Sequence, residues 1–562
     1  MCQYGTIVAA GTFSMPTMTT AEATVETLLR HGIDTLHALP GVHNDHLFDA
    51  IARSGGRMRV LHPRHEQTSA YMALGAALAT GRPQACAAVP GPGILNTTAA
   101  LLTARGTCAP VLAIAGQVPA MAIGRGLGHL HELPDQLGLL GHIAKHGARI
   151  TGPAAAPLLV AEALRAAQSG RPGPVALECA IDVWGRSAPV TLQAPLPVVH
   201  PDPDAEAVAR AAKLLGKAER PIIIAGGGAL DAAPELCRVA ELLRAPVVTY
   251  RRGRGVLPMS HPLAASLPVG LRLWAKADAV LGVGTRMYVP LADWGTDPGL
   301  AIVRIDCDAE EMERYRRPDV AIEADAATAL AALADALETC NRRRGEREDV
   351  AAAKAAVDAE FTRLEPQMSF LRALRAALPD DGVVVEDVTQ VGFVGRLAFP
   401  VEAPRRYLSP GYQDNLGWAY GAALGVQAAL PERAVVSLSG DGGFLYQAQE
   451  LATAVRHRLP VVAVVFEDGA FGNVRRIQSE HFGNRLIACD LANPDFVAFA
   501  RSFGAGAFAV RDAAGLEAAL REALAARQPA LIAVRVGEMP SPWSLLLPKR
   551  LRGQEQWRAS LP

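Results

Sequence analysis

The tightest constraint on the fold is a rhythm that runs three times along the 562 residues: short apolar runs alternate with longer helical stretches. In the first stretch IDTLHAL (33–39), RVLHP (59–63), QACAAVP (84–90) and PVLAIAG (110–116) read as strands. Between them the sequence predicts a helix near Asn44–Ala52, another after Glu66, and a third from the turn Gly91-Pro92-Gly93 through Ala104. Strands in step with helices predict a parallel sheet covered on both faces. A Pro-rich segment, LQAPLPVVHPDPD (192–204), reads as a linker. The rhythm then restarts with PIIIAGGG (221–228), APVVTY (245–250), ADAVLGVG (277–284) and LAIVRIDCD (300–308). A charged, Ala-rich stretch (341–361) separates these from VVVED (383–387), AVVSLSG (434–440), PVVAVVF (460–466) and ALIAVRVG (530–537). The expected class is α/β, with three doubly wound parallel-sheet domains over 18–190, 205–340 and 365–545.

Charge narrows the partners. Lys and Arg number 55 against 56 Asp and Glu, so nothing electrostatic favours a nucleic acid or a membrane surface. No apolar run approaches the ~20 residues of a membrane span. The eight cysteines are scattered without a C-x-x-C pair, which reads as reduced thiols rather than a zinc site or a disulfide framework. The opening MCQYGTIVAAGTFSMPTM lacks the basic segment of a secretory signal, reads as a loose extension, and offers Met15 or Met18 as alternative starts. A cytoplasmic location is expected.

The third stretch carries the clearest chemistry. AVVSLSG runs into Gly440-Asp441-Gly442-Gly443; a helix to about His457 and the strand PVVAVVF follow, ending at Glu467-Asp468-Gly469-Ala470. In this β-α-β unit both acids leave the C-terminal ends of parallel strands, ~4.8 Å apart if neighbours, where open α/β sheets bind ligands. Glycines let an anion approach the backbone amides. Asp441 offers the hard oxygen that Mg²⁺ requires, and phosphates and water would complete its shell. The unit therefore reads as a metal–diphosphate site, against the blander reading of an acidic turn.

These residues resemble the thiamine diphosphate superfamily, closest to its acetolactate synthase and benzoylformate decarboxylase branch, whose fingerprint is GDG followed one crossover later by two asparagines. The resemblance covers the whole chain and implies pyrimidine-binding, central and diphosphate-binding domains. It implies Mg²⁺ held by Asp441, by Asp468 and by the carbonyl of Ala470, with Phe471, Gly472 and Asn473 covering the diphosphate. Glu467-Asp468 departs from the usual amide pair and adds charge beside a diphosphate. Gln390 falls where the family contacts the diphosphate. Leu416 matches the apolar residue that props the cofactor into its bent shape, and the carbonyl of Asp414 would accept from the 4′-amino group.

In the first stretch the family's single Glu is matched by Glu66, its GPG turn by Gly91-Pro92-Gly93 with Asn96, and its G-Q-x-P segment by Gly116-Gln117-Val118-Pro119. By composition alone Glu66 would be an ordinary helix-start carboxylate. The resemblance makes it the group that hydrogen-bonds N1′ of the aminopyrimidine, so that N4′ takes the thiazolium C2 proton and the resulting carbanion attacks a carbonyl. His43 and His46, three apart, would share a helical face and relay protons to substrate. That pair resembles cyclohexane-1,2-dione hydrolase, a diketone-cleaving relative. Gln117 is a further candidate, as are His129, His131 and Lys145.

The implied activity is a lyase or carboligase acting on 2-oxo acids or 1,2-diketones, with Glu66 and Asp441 meeting across the interface of a homodimer or homotetramer. In the central stretch Gly226-Gly227-Gly228 and Gly282-Val283-Gly284-Thr285-Arg286 resemble flavin binders in part. Met-Tyr-Val-Pro-Leu (287–291) follows where acetolactate synthases carry acidic and basic residues, which tips the balance slightly against FAD. The alternatives are an FAD-linked 2-oxo acid oxidase, a non-catalytic cofactor-binding paralogue and, more remotely, a dinucleotide-dependent oxidoreductase.

Overall fold

Three six-stranded sheets, every strand parallel to its neighbours, carry the chain. The computed structural model describes residues 15–341, 347–546 and 550–553. The N-terminal sheet comprises β1 (Thr35–Ala38), β2 (Arg59–Leu61), β3 (Gln84–Ala88), β4 (Val111–Gln117), β5 (Gly147–Ile150) and β6 (Val175–Ala180), in the order β2-β1-β3-β4-β6-β5. The central sheet comprises β7 (Pro221–Ala225), β8 (Val247–Thr249), β9 (Ala264–Ser266), β10 (Ala279–Val283), β11 (Ala301–Asp306) and β12 (Val320–Glu323), in the order β9-β8-β7-β10-β11-β12. The C-terminal sheet comprises β13 (Val383–Glu386), β14 (Tyr407–Leu408), β15 (Val435–Gly440), β16 (Val461–Glu467), β17 (Gly506–Val510) and β18 (Ala530–Arg535), in the order β14-β13-β15-β16-β18-β17.

The inner strands are continuous apolar runs because helices bury them on both faces. VVVE of β13 and PIIIA of β7 are buried at every position. Two strands in each sheet escaped the sequence reading. β5, β12 and β17 lie at sheet edges and keep exposed or half-exposed positions, while β9 and β14 are edge strands of three and two residues. β6 is fully buried but carries Glu178 within its apolar run.

The first and third sheets share one strand order, and the equivalent helix of each joins them. Helix α1 (Glu66–Thr80) leads from β2 to β3, and helix α2 (Ala419–Ala429) leads from β14 to β15. They pack against each other at backbone distance. A Cβ on Gly75 would stand 2.0 Å from the carbonyl oxygen of Ala422, and one on Gly425 would stand 1.8 Å from that of Met72. Both helices are built of small and apolar residues buried on nearly every side, so each lies between two sheets rather than on a surface. The resulting core joins the first and third units, with members from Leu61 to Ala176 and from Val383 to Ala533.

The charged stretch expected to separate the second and third units is mostly a helix, Glu348–Phe361. Val350, Val357 and Phe361 are buried in the core between the central and C-terminal sheets. The Pro-rich segment 192–204 has neither helix nor strand, as expected. The N-terminal extension up to residue 14, with Cys2, lies outside the described residues. Among those described, seven cysteines are unpaired and no helix is long and apolar enough to cross a membrane.

Candidate cofactor and active site

In the C-terminal sheet β13 and β15 are neighbours whose crossovers leave in opposite directions, so a crevice opens beyond their C-terminal ends. β13 delivers Asp387-Val388-Thr389-Gln390, β15 delivers Gly440-Asp441, and its neighbour β16 delivers Glu467-Asp468. Gln390, Leu416, the run from Gly440 to Gly443, Asp468 and the run from Ala470 to Asn473 all line this one cleft. Of the cofactor residues expected in this block, only Asp414 stands behind the lining.

Asp441 is 1% exposed. Its Oδ1 accepts from Gly442 N–H at 2.8 Å; its Oδ2 accepts from Gly469 N–H at 2.8 Å and from Asn493 Nδ2 at 2.7 Å. Asp468 accepts from Ala470 N–H at 3.1 Å. Burial, reinforced by the neighbouring Asp441, pushes the Asp468 carboxyl up to about 6. Two carboxylates held together in a desolvated crevice repel one another, and a divalent cation between them would relieve that repulsion. The Oε1 of Gln390 is buried without a partner. The glycines leave the room: a Cβ on Gly443 would come within 3.2 Å of Leu416, and one on Gly442 within 2.6 Å of Phe471. These donors and this cradle fit a hard cation with an anionic diphosphate.

Glu467, the departure from the family pattern, is turned to the sheet. It lies opposite Arg535 in the β16–β18 register, 4.0 Å from its guanidinium. An opposed charge across strands offsets the extra negative charge, so Glu467 does not add to the charge of Asp441 and Asp468 unopposed.

The loop bearing Leu416 is fixed from behind. Asp387, fully buried, accepts from Gly417 N–H with both oxygens at 3.0 and 3.1 Å, and from Val388 N–H at 2.7 Å. Burial pushes Asp387 up to about 6, and the backbone N–H groups oppose the rise. The indole of Trp418 donates to the carbonyl of Glu386 at 2.7 Å. Gly417 sits at φ +85°, a turn that an L side chain would strain. Leu416 is thereby presented to the cleft by a bracket of buried hydrogen bonds.

The N-terminal candidates divide. Glu66 opens α1, is half-buried, and accepts from Asn96 Nδ2 at 3.0 Å, so two expected motif residues meet. It is not among the residues lining the cleft of its own chain. The shared face expected for His43 and His46 does not form. His43 lies in a 3₁₀ turn, Val42–Asn44, and is buried; His46 lies in the α-helix that follows, is exposed, and packs on Gly185. Asn44, at φ −119° and ψ 7°, breaks the helical path between them. His43 instead stacks on His131 at 5.2 Å and meets the carbonyl of Leu130 at 3.1 Å through Nε2. Its pKa is lowered, first by burial and then by His131.

Gln117 is buried, and its Nε2 donates to Glu178 at 3.2 Å, in a network with Gln136 and Arg149. It holds the end of β4 beside His43, which packs on Gly116. His129 is exposed. Lys145 is elsewhere: its ammonium donates to the carbonyls of Ser169 and Arg171 at 2.8 and 2.6 Å, so the backbone takes it out of the active-site candidates.

Three groups went unread in the sequence. Asp387 carried the same signal as Asp441, an acid just past a buried strand, and was findable. Asn493, 52 residues beyond Asp441, and Met539 of the cleft wall had no local signal.

Comparison with known proteins agrees with this geometry. Residues 18–139, 208–333 and 387–534 match the N-terminal TPP binding domain, the central domain and the C-terminal TPP binding domain of thiamine pyrophosphate enzymes. The chain belongs to the thiamine pyrophosphate enzymes, in their acetolactate-synthase-like branch. It is 34% identical over 542 residues to a probable 2-ketoarginine decarboxylase of Pseudomonas aeruginosa, covering 92% of this chain and 94% of that one. It is 30% identical over 537 residues to the acetolactate synthase isozyme 1 large subunit of Escherichia coli, covering 92% and 94%. It is 29% identical over 551 residues to a sulfoacetaldehyde acetyltransferase of Castellaniella defragrans, covering 91% of each.

Proposed function

We propose that the protein is a thiamine diphosphate- and Mg²⁺-dependent lyase or carboligase that breaks or makes a carbon–carbon bond beside the carbonyl of a 2-oxo acid or 1,2-diketone. The observation that carries this reading is the pair Asp441 and Asp468 at adjacent strand ends, over a glycine cradle, in a chain of this family. When bound, thiamine diphosphate supplies an acidic thiazolium C–H and an electron-accepting ring. Asp441, Asp468 and the carbonyl of Ala470 would hold the cation. Gln390, Gly442, Gly443 and Asn473 would hold the diphosphate, and Leu416 and the carbonyl of Asp414 the aminopyrimidine.

Glu66 would hold the proton at N1′ of that ring. Because Glu66 does not line the cleft of its own chain, the reading requires a second copy to bring it there. A homodimer is thus the smallest active unit. His43, stacked on His131 and lowered in pKa, is disposed to be neutral at pH 7 and to accept a proton from substrate.

The test is depletion of pyruvate, 2-ketoarginine and a 1,2-diketone by apo-protein, with and without thiamine diphosphate and Mg²⁺, beside Glu66→Gln. Cofactor-dependent turnover that falls by about two to four decades in Glu66→Gln is expected, and the products choose between lyase and carboligase. Turnover that ignores either the cofactor or Glu66 would overturn the reading.

A further inference from the structure

Asp414 is an aspartate in a left-handed conformation, φ +47°, two residues before Leu416. L side chains other than those that bond locally avoid this region. The Asp414 carboxylate does not cap its own turn. It is gripped by two arginines from different parts of the chain. Arg396, 2% exposed, contacts it at 2.7 and 3.0 Å. Arg251 contacts it at 3.0 Å and also donates to the carbonyl of Gly411, three residues earlier on the same loop. Arg396 is itself anchored by the buried Glu386, which accepts from the Tyr407 hydroxyl at 2.6 Å.

Arg251 belongs to the central domain. It follows β8 by two residues and is left-handed too, at φ +50°. Two strained residues therefore meet across a domain boundary, each arrested by the same ion pair. Strain of this kind persists only where the surroundings over-determine it, and it gathers at working sites.

We propose that Arg251 is a positioning residue through which the central domain holds the cofactor-binding loop: its grip on Asp414 keeps that residue left-handed and so aims the Asp414 carbonyl and Leu416 at the aminopyrimidine. This rests on the reading of the cleft as a thiamine diphosphate site. It gives the central domain a part in cofactor binding that needs no ligand of its own. The geometry also explains why an aspartate is tolerated at a turn that glycine would take without strain: its carboxylate is the handle.

The test is a double-mutant cycle read by calorimetry, as the dissociation constant of thiamine diphosphate for apo-protein in excess Mg²⁺. Arg251→Ala should weaken binding about tenfold, the scale of a lost charged hydrogen bond together with released backbone strain. Arg251→Lys, which keeps the charge but loses the fork, should fall between and covers the case in which the alanine variant does not fold. In an Asp414→Gly background, whatever affinity that variant has, Arg251→Ala should cost only about two- to threefold, the share of its remaining bond to the Gly411 carbonyl, since glycine needs no handle. An unchanged constant in both Arg251 variants would overturn the proposal. So would an equal loss in both backgrounds, because a merely structural Arg251 would act without Asp414. Wild-type protein that binds no thiamine diphosphate would instead overturn the reading of the cleft, a result distinct from either.

Discussion

The central and the C-terminal sheets each reverse their winding between two adjacent parallel strands, and the two crevices have opposite fates. Between β13 and β15 the loops stand apart around a cleft lined by Asp441, Asp468 and Gln390. Between β7 and β10 the loops close on each other. Gly226 N–H donates to the carbonyl of Val283 and Gly228 N–H to that of Gly284, both at 3.0 Å. A Cβ on Gly226 would stand 2.3 Å from the Gly284 oxygen, and one on Gly228 2.8 Å from the Gly284 Cα. Beneath them the buried Arg304 donates to the carbonyl of Thr285 at 2.6 Å. Glycine-rich loops at a switch point thus serve two ends. In one crevice the missing side chains leave room for a ligand; in the other they let backbone meet backbone. What separates the two is the pair of acids at the open crevice, Asp441 after β15 and Asp468 after its neighbour β16, whose mutual repulsion a cation would relieve.

The largest effect should come from the acid that defines the open crevice. Asp441→Ala removes a cation oxygen and the acceptor that ties down Gly469 and Asn493. Affinity for thiamine diphosphate in excess Mg²⁺ should fall by about a hundredfold or more in calorimetry. Retained affinity would mean that the two crevices do not differ in the way described.

One added methyl group in each crevice sharpens the contrast. Gly226→Ala forces a Cβ onto backbone that cannot yield, and should destabilise the protein by about 2 kcal/mol in denaturant unfolding while leaving the cofactor's dissociation constant unaltered. Gly443→Ala meets Leu416 Cδ1 at 3.2 Å, a side chain that can shift. It should cost about 0.5 kcal/mol in stability and weaken cofactor binding several-fold. The reverse pattern would assign the ligand to the central crevice.

Acid separates the crevice from the scaffold that carries it. His37 on β1 is 1% exposed with neither ring nitrogen bonded, and burial lowers its pKa to about 3; Arg59 and His457 add to the drop. The folded value lies below the unfolded one, so the unfolded chain takes up the proton first. Stability is then fully present above the unfolded value near 6.5 and is lost as pH falls toward 3. The slope for His37 is about 1.4 kcal/mol per pH unit. His62 and His457, a ring pair 4.7 Å apart, are shifted in the same direction by burial. Denaturant unfolding at pH 7, 6 and 5 should show this loss, and His37→Leu should flatten it. An equal slope in that variant would place the acid sensitivity elsewhere.

Much of this was legible in the residues themselves. The inner strands other than β6 were read because a strand buried on both faces is an apolar run; Asp441 and Asp468 were read from strand ends beside glycines, and Leu416 only through the family resemblance. Of the edge strands only β2 was found: β5, β12 and β17 keep solvent-facing positions that dilute the apolar signal, and β9 and β14 are only three and two residues long. His43 and His46 misled because spacing gives a shared face only along an unbroken helical path, and Asn44 breaks that path between them. Lys145 misled because a backbone carbonyl attracts an ammonium as well as a substrate does, and carbonyls leave no mark in a sequence. The grip of Arg251 on Asp414 spans 163 residues, beyond any local pattern.

The smallest expected effect bears most directly on the central crevice. The glycines there resemble those of flavin binders, but their space is already filled by facing backbone, and Arg252 lies over Gly227 with side-chain atoms 3.3 Å from a Cβ built there. To admit a flavin the loops would have to part, breaking the bonds of Gly226 and Gly228 and uncovering the Arg304 guanidinium, which ordinary binding contacts do not readily offset. Purified protein should therefore show no flavin absorption band, and FAD added at a concentration that saturates flavoenzymes should leave the unfolding midpoint where it was. Stabilisation would require binding to the folded state; a rise of several degrees would show that the glycine loops open, and that the two crevices are both ligand sites after all.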